Sequence, residues 1–198
     1  MTGSQKLWTL SLKCLINMKN LEKIILHLCA GSGSDSRPYT EAGYDVRLIG
    51  KEIGVENYNP PDNVYGVIAN PPCTHFSGSG ARWWKNKGDS AIIEGLTPII
   101  HCLRIIALSN PVFWVLENPV GRLKNYLGNP VMYYQPYEYG DFYSKKTCLW
   151  GKFNIPEKII VEPFLGSKMH LIPPGENRSD LRSECSPGFA HAFFLANQ

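Results

Sequence analysis

No two cysteines in this chain form a Cys-x-x-Cys pair, although six are present: Cys14, Cys29, Cys73, Cys102, Cys148 and Cys185. Scattered singly, they supply neither the paired ligands of a zinc site nor a secreted disulfide framework, so no metal and a reducing, cytoplasmic compartment are expected. Long hydrophobic runs are also missing, since no uninterrupted apolar stretch approaches the roughly 18 residues that cross a bilayer. The apolar patch at 10–16 is broken by Lys13 and followed by no small-residue cleavage pattern, so a signal peptide is not expected. Strong charge is absent as well. A net charge of +3 does not by itself identify a nucleic-acid partner, and local clusters must decide that question.

What is present suits one compact domain: 198 residues, 43% of them apolar and 19% charged, fill a core without a metal or disulfide staple. Met18 offers an alternative start, so residues 1–17 are expected to be a flexible leader or tail and 18–198 a single domain. Three apolar, β-branched-rich runs at 23–28, 64–69 and 112–116 predict buried strands, with a shorter one at 45–49. Ile92, Ile93, Leu96, Ile99, Ile100, Leu103 and Ile106 recur at helical spacing and predict a helix over 90–108, bent at Pro98. Strands alternating with helices predict an α/β, mostly parallel sheet. An antiparallel hairpin is expected from 135–139 and 146–150 around Gly140-Asp141, then a surface loop over 154–187. A last helix at 187–196 should turn Phe189, Phe193 and Phe194 inward.

Polar turns close the three long runs, and they carry the chemistry. After the first comes Cys29-Ala30-Gly31-Ser32-Gly33, whose small residues let the backbone approach a nucleotide-like ligand at the carboxyl ends of the strands. Taken alone, a tight strand-to-helix turn is the better explanation of these glycines. Glu52, after the 45–49 run, is placed to bond a ribose diol. After the second run comes Asn70-Pro71-Pro72-Cys73. The two prolines stop the strand and hold the loop, which marks Cys73 as the reactive thiol, whereas Cys102 falls in a helix and Cys148 in a strand. After the third comes Leu116-Glu117-Asn118-Pro119. Five preceding apolar residues put the Glu117 carboxyl in partly desolvated ground, where a raised pKa suits an acid catalyst.

In that order, Leu28-Cys29-Ala30-Gly31, Asn70-Pro71-Pro72-Cys73 and Leu116-Glu117-Asn118-Pro119 resemble the cofactor, nucleophile and glutamate motifs of DNA cytosine-5 methyltransferases. The stretch 143–151 sits where that family has its Gln-x-Arg-x-Arg strand, and 187–198 resembles the closing tail of compact phage-type members. The resemblance implies the class I, Rossmann-like methyltransferase sheet with helices on both faces, and S-adenosylmethionine as cofactor. Gly31, Ser32 and Gly33, within the Cys29-Ala30 turn, would flank its amino-acid end, Glu52 its ribose, and Asn70 with Pro71 its adenine side. Cytosine carbon 5 is too weak a nucleophile to be alkylated directly, so Cys73 would first add to carbon 6 of a flipped base while Glu117 holds the ring nitrogen.

The chain departs from the family in three places. Glu-Asn-Pro stands for the commoner Glu-Asn-Val; Lys145 and Lys146 replace paired arginines and lack the planar guanidinium fork; and only about thirty loop-like residues stand where a target-recognition region would lie. High sequence specificity is therefore not expected, and short targets, weak context preference and help from a partner chain all stay open. DNA contacts are expected from Arg82-Trp83-Trp84-Lys85, which interleaves cations with stacking rings, and from Lys145, Lys146 and Arg122 with Lys124. His27 reads as a core histidine, and His75 as a residue able to touch substrate. Methylation of a cytosine mononucleotide, and a catalytically inert or partner-dependent DNA binder, stand beside the DNA-modifying reading. Phage origin and protection from restriction are suggested only by similarity to compact phage enzymes.

Overall fold

The computed structural model describes residues 20–176 and 178–198, so the expected leader at 1–17 lies outside the described residues. Six strands form one sheet: β1 Ile24–Leu28, β2 Asp45–Ile49, β3 Val64–Ala69, β4 Phe113–Pro119, β5 Met132–Tyr134 and β6 Thr147–Lys152, in the order β2-β1-β3-β4-β6-β5. β1 to β4 pair in parallel, and β6 runs antiparallel between β4 and β5.

The central strands are apolar on both sides because both sides are covered. Leu26, Leu28, Val67, Ala69 and Leu116 face the long helix α2, Trp84–Ser109, through Ile99, Cys102, Ile105 and Ile106. Their strand neighbours Ile25, Ile68, Phe113 and Val115 face the short helix α1, Arg37–Glu41, and the C-terminal helix, where Tyr39, Phe189, Phe193 and Phe194 meet them. Three short helices complete the chain order before that last one: α3 Lys124–Leu127, α4 Lys168–Leu171 and α5 Arg178–Ser183, followed by α6 Pro187–Ala196.

Several expectations shift. The long helix starts at Trp84 rather than 90, breaks at Gly88 (φ 64°, ψ −167°), and ends on Asn110 in the left-handed conformation. Its buried stripe uses the small residues Ala91 and Gly95, while Ile93 and Ile100 are exposed. The reason is steric: a Cβ at Gly95 would come within 2.7 Å of the Phe76 ring, so Phe76 fills a notch that a larger residue would close. Within Gly78–Ser109 one 18-residue window has a mean hydropathy of 1.7 and meets the length and composition of a membrane span, which counting uninterrupted apolar residues missed. One face of that helix is nevertheless packed on the sheet. The antiparallel pair is β5 with β6, Met132 opposite Leu149, because 136–138 forms a 3-10 turn closed by a reciprocal Gln135–Glu138 cap. The 154–187 segment holds α4 and α5, and α6 buries Phe189, Phe193 and Phe194 as the sequence predicts.

Gly66 lies in the middle of β3, where a Cβ would stand 2.2 Å from the Phe113 ring across the strand pair. Gly66→Ala should destabilise the fold by about 1–3 kcal/mol, read as a lower urea midpoint at unchanged slope. A loss below about 0.5 kcal/mol would show that the ring moves aside freely.

Candidate active site

β1 is flanked by β2 on one side and β3 on the other, so the chains leaving β1 and β3 diverge and open a crevice at the carboxyl ends of the strands. The turn after β1 bends sharply there, with Cys29 (φ 55°), Gly31 (φ 51°) and Gly33 (φ 72°) all left-handed. Gly31 and Ser32 are exposed, and a Cβ on Gly31 would meet nothing within 4 Å, so this backbone is open to a ligand. Ala30 is buried, and Cys29 turns its Sγ to within 3.9 Å of the Cys102 Sγ.

Beneath the crevice a chain of hydrogen bonds joins the first two turns. Asn70 Nδ2 donates to Asp35 at 3.2 Å, which leaves Asn70 Oδ1 to accept from His27 Nε2 at 3.0 Å; His27 Nδ1 then accepts from the Ser36 hydroxyl at 2.8 Å. His27 is fully buried, and burial pushes its pKa below the ordinary value, so it is the neutral core histidine that its place in the strand suggests. Asp35 and Ser36 were not singled out in the sequence, where an acid beside a glycine turn is the single signal they give.

The Cys73 loop has no regular structure of its own, yet most of its carbonyls are paired. Asn118 Nδ2 donates to Pro71 O at 3.1 Å, the Phe76 and Ser77 amides to Cys73 O, Lys87 Nζ to Thr74 O at 3.4 Å, Arg122 Nε to His75 O at 2.7 Å, and the Arg122 amide to Phe76 O at 2.9 Å. Cys73 itself is exposed. Its thiol is pushed above the ordinary value, first by desolvation and then by the Glu117 charge, while Lys145 and Arg182 pull the other way.

Glu117 is not in a turn, as the sequence suggests. β4 continues through Pro119, with Glu117 opposite Leu149 on β6, so the strand itself aims the carboxyl. Desolvation raises its pKa to about 7; Asp35 adds to the rise, and Lys145 opposes it. Glu117 and Asp35 line a cleft with Cys185, Phe189 and Phe193 that holds about 20 Å³, room for a water.

The remaining candidates are spread around this centre. Glu52 is exposed three residues beyond β2. Arg82 and Lys85 are exposed, and Trp83 is 51% accessible with the Arg82 guanidinium 5.1 Å from its ring. Trp84 instead turns inward, under the Arg122 guanidinium at 4.9 Å. Arg122 is buried rather than presented to solvent. Lys145 and Lys146 precede β6 rather than lying in it. Lys145 Nζ donates to the carbonyls of Ser183 and Glu184, and exposed Lys146 lies 5.1 Å from the Tyr133 ring. His75 pairs with Glu94 at 3.4 Å.

No protein-family model matches the chain, and no curated protein matches it. A solved structure from E. coli to which it is similar is provisionally described as a DNA modification methyltransferase encoded within a prophage; the identity is 17%, the TM-score 0.48, and the match covers 71% of this chain and 52% of that one. The chain thus spans about half the length of that structure.

Because Glu117 titrates near 7 in the folded protein against 4.5 ordinarily, the folded state holds a proton between those values that the unfolded state has lost. Stability should therefore fall as pH rises from about 4.5 through 7 and level off above. Glu117→Gln should flatten that part of a urea-midpoint profile; an unchanged slope would place the titration elsewhere.

Proposed function

We propose that this chain is an S-adenosylmethionine-dependent DNA methyltransferase that modifies carbon 5 of cytosine, on a class I methyltransferase sheet. The observation that carries the reading is an exposed thiol in the loop after β3 and a desolvated carboxyl near the end of the neighbouring strand β4, near enough that the Glu117 charge acts on Cys73. The order of the motifs along the chain adds to it.

The open turn 29–33 fits the cofactor, since its backbone is accessible where Gly31 leaves space. In this reading Cys29, Ala30, Gly31, Ser32 and Gly33 hold its amino-acid end, Glu52 the ribose, and Asn70 with Pro71 the adenine side. When bound, the cofactor supplies an electrophilic methyl group. The chain's own residues do the rest. Cys73 gives up its proton to water and its Sγ bonds to carbon 6 of the target cytosine, while Glu117, protonated below about 7, gives its proton to the ring nitrogen, neutralises the charge that builds there and is left as the carboxylate. After carbon 5 is methylated, a base or water removes its proton, the 5,6 double bond re-forms as the S–C6 bond breaks, the thiolate leaves, and the ring nitrogen returns its proton to Glu117. Arg82, Trp83 and Lys85 provide an exposed cationic and aromatic strip for phosphates and bases beside the site.

Labelled methyl should pass from S-adenosylmethionine to unmethylated DNA. Cys73→Ser should abolish transfer, and Glu117→Gln should slow it by about 10²–10⁴-fold. DNA carrying 5-fluorocytosine should trap a Cys73 adduct. Label in dCMP alone would move the substrate to a mononucleotide, and no label in either would overturn the reading.

A further inference from the structure

We infer that Arg122 is a positioning residue that holds the nucleophile loop in register with Glu117. The inference deepens the proposed reaction and rests on it only for its kinetic consequence. Arg122 stands five residues after Glu117, where the chain leaves β4 and folds back along the Cys73 loop. Its amide donates to Phe76 O at 2.9 Å and its Nε to His75 O at 2.7 Å, so one residue pairs two successive carbonyls just beyond the thiol. On the same short ladder the Gly78 amide donates to Val120 O at 2.9 Å, and Ser77 bridges Gly121.

The contact is as close as backbone allows. A Cβ on Gly121 would fall 1.8 Å from Phe76 O and 2.8 Å from the Gly78 nitrogen, so the two segments touch without an intervening side chain. Arg122 is 9% accessible, its Nη2 has no hydrogen-bond partner among the described residues, and its guanidinium lies 4.9 Å from the Trp84 ring at the start of α2. A cation so placed is held by the His75 carbonyl and the Trp84 ring face. It ties three segments together: the exit of β4 with Glu117, the loop with Cys73, and the helix whose first turn neighbours the exposed Arg82 and Trp83. Lysine lacks the planar fork that serves a carbonyl and a ring at once.

Hydrogen exchange on the full chain, followed by peptide mass spectrometry, tests this directly. Arg122→Met should speed exchange across 74–80 by about tenfold and leave 24–28 and 64–69 unchanged, a local pattern that general destabilisation would not give. Single-turnover methyl transfer should fall about 10–100-fold, with cofactor affinity and non-covalent DNA affinity within about twofold of wild type. Arg122→Lys, the milder change should Arg122→Met not fold, should loosen the same segment by about fivefold and also slow transfer. Unchanged exchange over 74–80 in either folded variant overturns the inference, as does a variant that loses DNA affinity and salt dependence while its loop stays protected, since that marks a phosphate contact. If the wild type transfers no methyl, the proposed reaction fails, and the exchange comparison still decides the role of Arg122.

Discussion

Between Pro71 and Ser77 the chain has neither strand nor helix to satisfy its backbone, yet Pro71 and Phe76 are buried. Buried carbonyls left unpaired cost about as much as a lost hydrogen bond, so donors must arrive from elsewhere. They come from residues remote in sequence: Asn118 to Pro71, Arg122 to His75 and Phe76, and Lys87 to Thr74. The first two belong to the end of β4 and the segment just past it, which also carries Glu117. Placing the loop and placing the carboxyl are therefore one structural problem. Phe76 anchors it from below, with its ring in the notch left by Gly95 and its carbonyl against Gly121.

The far wall of the site is built by the end of the chain. Phe189 stacks on Tyr134 with ring centroids 3.7 Å apart, and Phe193 and Phe194 pack on Phe113 and Tyr39. Such aromatic pairs add about 0.5–1.5 kcal/mol each beyond the area they bury, which makes α6 a firm lid on that face of the sheet. The segment before it crosses the crevice, where the Cys185 amide donates to Ser34 Oγ at 3.0 Å, across 151 positions of sequence. Gly188 allows the approach, because a Cβ there would meet Tyr139 O at 1.9 Å. The narrow cleft beside Glu117 is a consequence of this closure.

The parts of this arrangement legible in the sequence are those governed by local pattern. Apolar runs marked β1, β3 and β4 because those strands are buried on both faces, and the Phe spacing near the C-terminus marked the inward side of α6. Proline and glycine punctuation located the turns after β1 and β3. Local pattern failed where a tertiary partner decides. Glu117 reads as a turn residue because Asn-Pro follows it, but pairing with β6 keeps the strand extended through Pro119. Trp83 and Trp84 look equivalent in sequence, but Trp83 is exposed while Trp84 turns in under the Arg122 guanidinium. Ser34 and Cys185 carry no signature, and Asp35 only its place beside a glycine turn, since their part in the site comes from contacts made across the whole chain.

The electrostatics of the site impose an order on its protons. Cys73 and Glu117 are both acids, both partly desolvated, and the charge of Glu117 makes the thiolate harder to form. A protonated Glu117 carries no charge, so the repulsion disappears in the state that an acid catalyst must occupy. In the proposed reaction the same proton would serve twice, once as the donor to a substrate nitrogen and once as the neutraliser that eases ionisation of the thiol. Lys145 acts on both groups in one direction, favouring the thiolate and the carboxylate alike, and is held in place by the carbonyls of Ser183 and Glu184. Desolvation does most to hold the Cys73 thiol high, and the charge of Glu117 adds to it only when that carboxyl is ionised; the desolvation that places the Glu117 titration near neutral pH comes from the packing of β4 between its neighbours.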